Sequence, residues 1–265
     1  MKTLKTIRTI LLIIGISFGL TLTSCKKKTK AEDTPSNPNN GTVMLHFHTN
    51  ADTNEVNTYV TQTYTMTGGR KISFDISQLY VSGIQLVKTD GSTIDMSGRN
   101  ILKLMEIEQY LVGSVPSGNY KSIRFNVGLS AATNSLLPEP SDSTFYRPNM
   151  WFGNTVQPWQ GYIFVNFQGK IDTSNAGNLP ASQMQPFVYK IGTNASLKNV
   201  VMPDQNYSVL PDQTQFIHIK IYYNNLFNGI KLNNSANLNI STPAANSGTL
   251  ATQIVNNIPA MFIYE

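Results

Sequence analysis

The stretch Val-Met-Leu-His-Phe-His (VMLHFH, residues 43–48) alternates apolar and polar-capable residues one by one. Successive side chains of a β-strand point to opposite faces. Val43, Leu45 and Phe47 therefore share one face, and Met44, His46 and His48 share the other. The first set makes a core face, while the second presents two imidazoles side by side. The same period of two runs through KISFDISQLYVSGIQLV (71–87), NYKSIRFNVGL (119–129), GYIFVNFQGKI (161–171) and QFIHIKIYY (215–223), and each reads as a strand. Asp90-Gly91 is a hairpin turn signal followed by the short strand STIDM, because Gly supplies the backbone conformation such turns need. Pro116-Ser117-Gly118-Asn119 is a second turn leading straight into a strand. Helical spacing is weak; ILKLMEIEQYL (101–111) and TLATQIVNNI (249–258) are the candidates for short helices. Residues 130–160, rich in Pro, Ser and Asn, predict a long irregular loop of the kind that often carries function. With no internal repeat, the pattern predicts an all-β, single-domain β-sandwich or open barrel with long irregular loops and at most short helices.

The N-terminal residues read differently. Lys2, Lys5 and Arg8 precede the apolar run Ile10 to Leu22, which is too short for an ordinary membrane span and has the form of a secretory signal. Leu22-Thr23-Ser24-Cys25 follows, a lipobox pattern that makes Cys25 a lipidation site and residues 1–24 a lipoprotein signal peptide. Several acyl chains, at about 0.8 kcal/mol per buried CH₂, hold a protein stably on a membrane. Residues 25–41 supply the lipidated Cys and a polar tether, and residues 42–265 the folded domain. The chain is accordingly expected in a bacterial cell envelope as an outer-membrane lipoprotein, facing the periplasm or the surface.

Cys25 is the single cysteine, so an internal disulfide and a multi-thiolate metal site are both excluded. The chain carries 20 Lys and Arg against 15 Asp and Glu. The excess belongs to the leader and to Lys26, Lys27, Lys28 and Lys30. From Gly41 onward the balance is 13 against 13, which gives no electrostatic footprint for nucleic acid.

Chemistry rests on few residues. There are three histidines. His218 sits opposite Ile217, Ile219 and Ile221 on its strand and shares a face with Phe216, Lys220 and Tyr222. All three imidazoles thus lie away from the aliphatic faces. Two imidazoles on one strand face can chelate one ion at about 2.0–2.1 Å, and the thioether of Met44 beside them favours copper. The other reading is that they are ordinary surface side chains. Both tryptophans, Trp151 and Trp159, fall within nine positions in the predicted loop. They form either a hydrophobic plug or a platform for glycan or protein, which makes a non-catalytic surface binding module the rival to a metal protein. No enzyme motif is present: GLSAA (128–132) lacks the second Gly of a nucleophile elbow, carboxylates are scattered, and MTGGRK (66–71) reads as a turn rather than a phosphate loop. Binding without turnover is the expectation.

Five stretches in order resemble the MbnP-like family of lipoproteins and periplasmic proteins, related to a protein encoded with methanobactin and to copper-binding surface proteins of methane oxidisers. They are GTVMLHFH (41–48), FDISQLYVSGIQLVKTDGS (74–92), VPSGNYKSIRFNVGL (115–129), MWFGNTVQPWQGYIFVNFQGKID (150–172) and LATQIVNNIPAMF (250–262). The resemblance implies a mostly β fold and a mononuclear copper site in which histidines are joined by a tryptophan oxidised to kynurenine. Carried over, it points to His46 and His48 with Met44, His218 or Trp151, and to copper acquisition, buffering or handover. Two departures stand out: the family's W-x-W spacing is stretched by FGNTVQP between Trp151 and Trp159, and FVYKIG (187–192) has Lys190 where the family pattern has a His. A lysine ammonium has no lone pair to give a metal.

Overall fold

In the computed structural model, which describes residues 39–57, 59–66, 69–138, 147–153, 161–174 and 178–265, the alternating stretches become strands of two sheets. The signal peptide, Cys25, most of the tether and Trp159 lie outside the described residues.

The smaller sheet is built on the strand Asn40–Ala51. It pairs in parallel with Thr214–Tyr222 from Thr42↔Thr214 to Asn50↔Tyr222. On its other side it pairs antiparallel with Gln109–Pro116. A short strand, Phe262–Tyr264, closes the edge beyond Thr214–Tyr222. The larger sheet is organised by the long strand Lys71–Lys88. Its first half pairs with Ile163–Ile171 and its second with Gly118–Val127. Ile163–Ile171 passes the sheet on to Gln185–Gly192.

The alternation decides what is buried. Val43, Leu45 and Phe47 are fully buried, and so are Ile219 and Ile221, which join Phe74, Phe125 and Phe167 from the larger sheet in one continuous core. Burying apolar area from both sheets at about 25 cal/mol per Å² is what holds the layers face to face. The result is the expected all-β sandwich, curled like part of a barrel. All described residues belong to one compact unit.

A second, smaller cluster gathers Tyr80, Met150, Tyr162 and Phe164. The strand Ile163–Ile171 departs from simple apolar–polar alternation here, with apolar residues on both faces: Phe164 belongs to this cluster, while Val165 and Phe167 belong to the main core. The strand is covered twice, so neither face needs polar residues.

Two expectations change. Residues 101–111 are not a helix: Ile101–Lys103 and Gln109–Pro116 are strands, paired with Lys71–Lys88 and with Asn40–Ala51. Apolar residues at helical spacing were outweighed there by partners elsewhere in the chain. The predicted loop 130–160 carries a short helix, Ala131–Asn134, capped by the Ser130 side chain, and a 3₁₀ turn, Pro148–Met150. The helix expected over 249–258 is present as Thr249–Asn257, with Ala251 and Ile254 on its buried side.

Two glycines are required by the sheet. Gly83 has φ +57° where the pairing of Lys71–Lys88 slips register between Ser82 and Gln85, a bulge that a residue without Cβ accommodates. At Gly169 a Cβ would fall on the Ser73 carbonyl oxygen of the neighbouring strand. Gly169→Ala is expected to destabilise the protein by about 3 kcal/mol, read as a lowered urea midpoint with unchanged slope. An unshifted midpoint would show that the strands do not approach as closely as described.

Candidate metal centre

The parallel register sets His46 directly opposite His218. Since His46 and His48 share a face, all three imidazoles meet on the outer side of the smaller sheet. Their candidate ligand atoms, one per residue, lie within 4.8 Å of one another. Ring centroids are 4.2 Å apart for His46 and His48 and 4.8 Å for His46 and His218. Side-chain exposure is 15% for His46, 22% for His48 and 46% for His218, so the cluster is seated in the surface and open at the His218 end.

The two ring nitrogens of each imidazole have different neighbours. His46 Nε2 and His48 Nε2 face each other at 3.1 Å, and His46 Nε2 also lies 3.3 Å from Glu108 Oε2. On the opposite side of the His48 ring, Nδ1 is 2.7 Å from Glu265 Oε2. His218 Nδ1 stands 3.6 Å from the same oxygen. The second oxygen of Glu265 receives the Lys220 ammonium at 3.2 Å. Glu265 reaches this point because Ile263 pairs with Lys220, after which the Glu265 amide donates to the His218 carbonyl. Burial pushes the Glu265 carboxyl up, but the Lys220 hydrogen bond and the neighbouring His48, Lys220 and His218 outweigh it and hold it below its usual value. The carboxylate is therefore held ionised beside the imidazoles of His48 and His218 and the Lys220 ammonium.

A cavity of about 320 Å³ opens beside the cluster, lined by Tyr207, Phe216, His218, Tyr264 and Glu265 among others. It gives a small solute a route to the exposed side of His218.

The structure brings together His46, His48 and His218. Met44 lies on the same strand face one pleat before His46, opposite Phe216. Trp151 goes elsewhere: it forms a β-bridge with Tyr162 beside the larger sheet and is only 7% exposed. Among the described contacts, the rings that approach the imidazoles are one another and Phe216. A buried indole also leaves little surface for stacking on a sugar, so Trp151 acts as the plug. Lys190 lies on the larger sheet, paired with Asn166. The ammonium beside the histidines is Lys220, whose place on the His218 face was legible from the strand period. Glu108 and Glu265 were not: they sit just before Gln109–Pro116 and just after Phe262–Tyr264, and no local spacing marks them.

A family model described as MbnP matches residues 40–243. Among solved structures, the chain is similar to MbnP from Methylosinus trichosporium, at 16% identity, covering 71% of this chain and 78% of that one with a TM-score of 0.45. No curated protein matches the chain.

Proposed function

The chain belongs to the MbnP family, and on that premise we propose that it binds a metal ion, copper, at His46, His48 and His218. One observation carries the reading: a pairing between two distant strands places the third imidazole opposite the first. Imidazole nitrogens suit copper and zinc alike. Two nitrogens about 2.0–2.1 Å from one ion stand roughly 3 Å apart, close to the 3.1 Å between the Nε2 atoms of His46 and His48. Glu108 Oε2 lies 3.3 Å from His46 Nε2, at the edge of the three-histidine group. The metal, when bound, is cargo or a resident ion held by neutral imidazoles. The residues around it would bind and orient the ion, and the proposed role is acquisition, buffering or handover without turnover. Lipidation at Cys25 would hold this site at the outer membrane.

The test is metal content. The purified protein is incubated separately with Cu(I), Cu(II) and Zn(II), desalted and analysed for bound metal, with intact mass read for oxidised tryptophan. Near-stoichiometric copper is the expected result. Retention of no metal in any arm would overturn the proposal.

A further inference from the structure

Independently of the metal reading, the geometry points to a second site: we propose that a groove between Arg99, Arg147 and the turn 104–107 binds a medium-chain aliphatic monocarboxylate, with the carboxylate on Arg99 and the chain on an apolar wall. The groove has a volume of about 360 Å³ and shares no residue with the histidine cluster. Its wall includes Leu102 and Leu104, buried members of the smaller apolar cluster, and Ile107 and Leu111, each 43% exposed. Apolar side chains left open beside buried ones mark a surface that a ligand can cover.

The groove is held in shape from both sides. The Tyr110 hydroxyl accepts from the Leu104 amide at 2.7 Å and donates to the Ile107 carbonyl at 2.9 Å, so one side chain fixes both ends of the turn. Arg99 is fixed likewise: its amide donates to the Met96 carbonyl, and its Nε donates to the Leu111 carbonyl at 2.9 Å. That leaves the terminal amino groups of the guanidinium, a fork that grips a carboxylate through two bonds. Among the described residues two guanidiniums line the groove and no carboxylate does. Asp95, the acid nearest Arg99 in sequence, accepts from the Ser97 amide, and Glu108 is turned to His46. Positive charge beside an aliphatic wall selects an anion with a hydrocarbon body. At roughly 30 Å³ for a group the size of a water molecule, the groove takes about a dozen non-hydrogen atoms, the size of decanoate.

All described elements of the fold lie within residues 40–265, in one compact unit beginning at Ser36, so the test uses residues 26–265 in detergent-free buffer. Calorimetric titration with sodium decanoate is expected to give one saturable site. Octanoate, shorter by two methylenes, should bind about 10-fold more weakly. Decanol, which lacks the charge, should bind about 10- to 100-fold more weakly. Arg99→Ala should weaken decanoate by a similar factor, and Ile107→Glu, which sets a like charge beside the chain, should abolish saturable binding. Both side chains are exposed, so both variants are expected to keep the wild-type urea midpoint, which assigns the loss to the site rather than to folding. No saturable heat with decanoate, decanol bound as tightly as decanoate, or an Arg99→Ala variant of unchanged affinity would overturn the proposal. So would a dimer in sedimentation that Ile107→Glu dissolves, because the groove then belongs to a second copy of the chain.

Discussion

A His46→Ala/His48→Ala double variant is expected to lose the copper retention proposed for the wild type and, with it, the stabilisation that copper would confer. A ligand that binds the folded state alone stabilises it by RT ln(1 + [L]/Kd), about 4 kcal/mol when free ligand is 1,000 times Kd. Wild-type protein titrated with copper should therefore show a melting temperature that climbs with concentration, and the double variant a flat one. In the absence of metal the two proteins should unfold within about 1 kcal/mol of each other, because both imidazoles lie on the outer face of the sheet. Loss of the metal-dependent shift without loss of metal-free stability separates a ligand role from a packing role. A double variant that still climbs with copper would place the site elsewhere.

Lys103→Met is expected to stabilise the protein at pH 7 by about 3 kcal/mol. Lys103 is 1% exposed, pairs with Leu79 inside the sandwich, and its Nζ has no hydrogen-bond partner among the described residues. Burial pushes its ammonium down to about 8, against the weaker opposing pull of Glu108 and Glu106. A fall from 10.5 to about 8, at about 1.4 kcal/mol per unit, is the cost of charging this lysine in the fold rather than in the unfolded chain. Methionine has a similar length and no charge, so the cost vanishes. The pH dependence has a definite sign. Below pH 8 folded and unfolded chains both carry the proton, and the penalty is fully present. Between about 8 and 10 the unfolded chain binds more protons than the folded one, so wild-type stability rises with pH. Above pH 10 the trend reverses, because burial holds the Tyr189 and Tyr207 phenols above their usual value and the folded chain then keeps protons the unfolded chain releases. Denaturant melts at pH 7, 8 and 9.5 should show the wild type approaching the Met variant as pH rises. A Met variant less stable than wild type at pH 7 would mean that Lys103 is paired rather than stranded.

Much of the fold was legible because a half-buried strand writes its burial into every second residue. The core faces of residues 43–48 and 215–223 followed from alternation alone. Residues 101–111 were misread because a strand of three residues is too short to show a period, and its state is decided by Val81 and Leu79 across the sheet. The site divides in the same way. His46 and His48 were readable as a pair because the period of two acts within one strand. Their meeting with His218 depends on a parallel pairing that no local pattern encodes, and Glu265 depends in turn on the pairing of Ile263 with Lys220. What was invisible was the register between strands.

The parallel pairing of Asn40–Ala51 with Thr214–Tyr222 also governs when the centre comes into being. Most of the described chain lies between His46 and His218, so the loop that must close is long and the contact is of the kind that forms slowly. A chain emerging residue by residue can display His46 and His48 but not the assembled triad. On the proposed metal reading, ion capture would wait until the sandwich has closed, because an incompletely folded chain would offer at most the two imidazoles of one strand. Metal loading, on that reading, would report completed folding as well as binding.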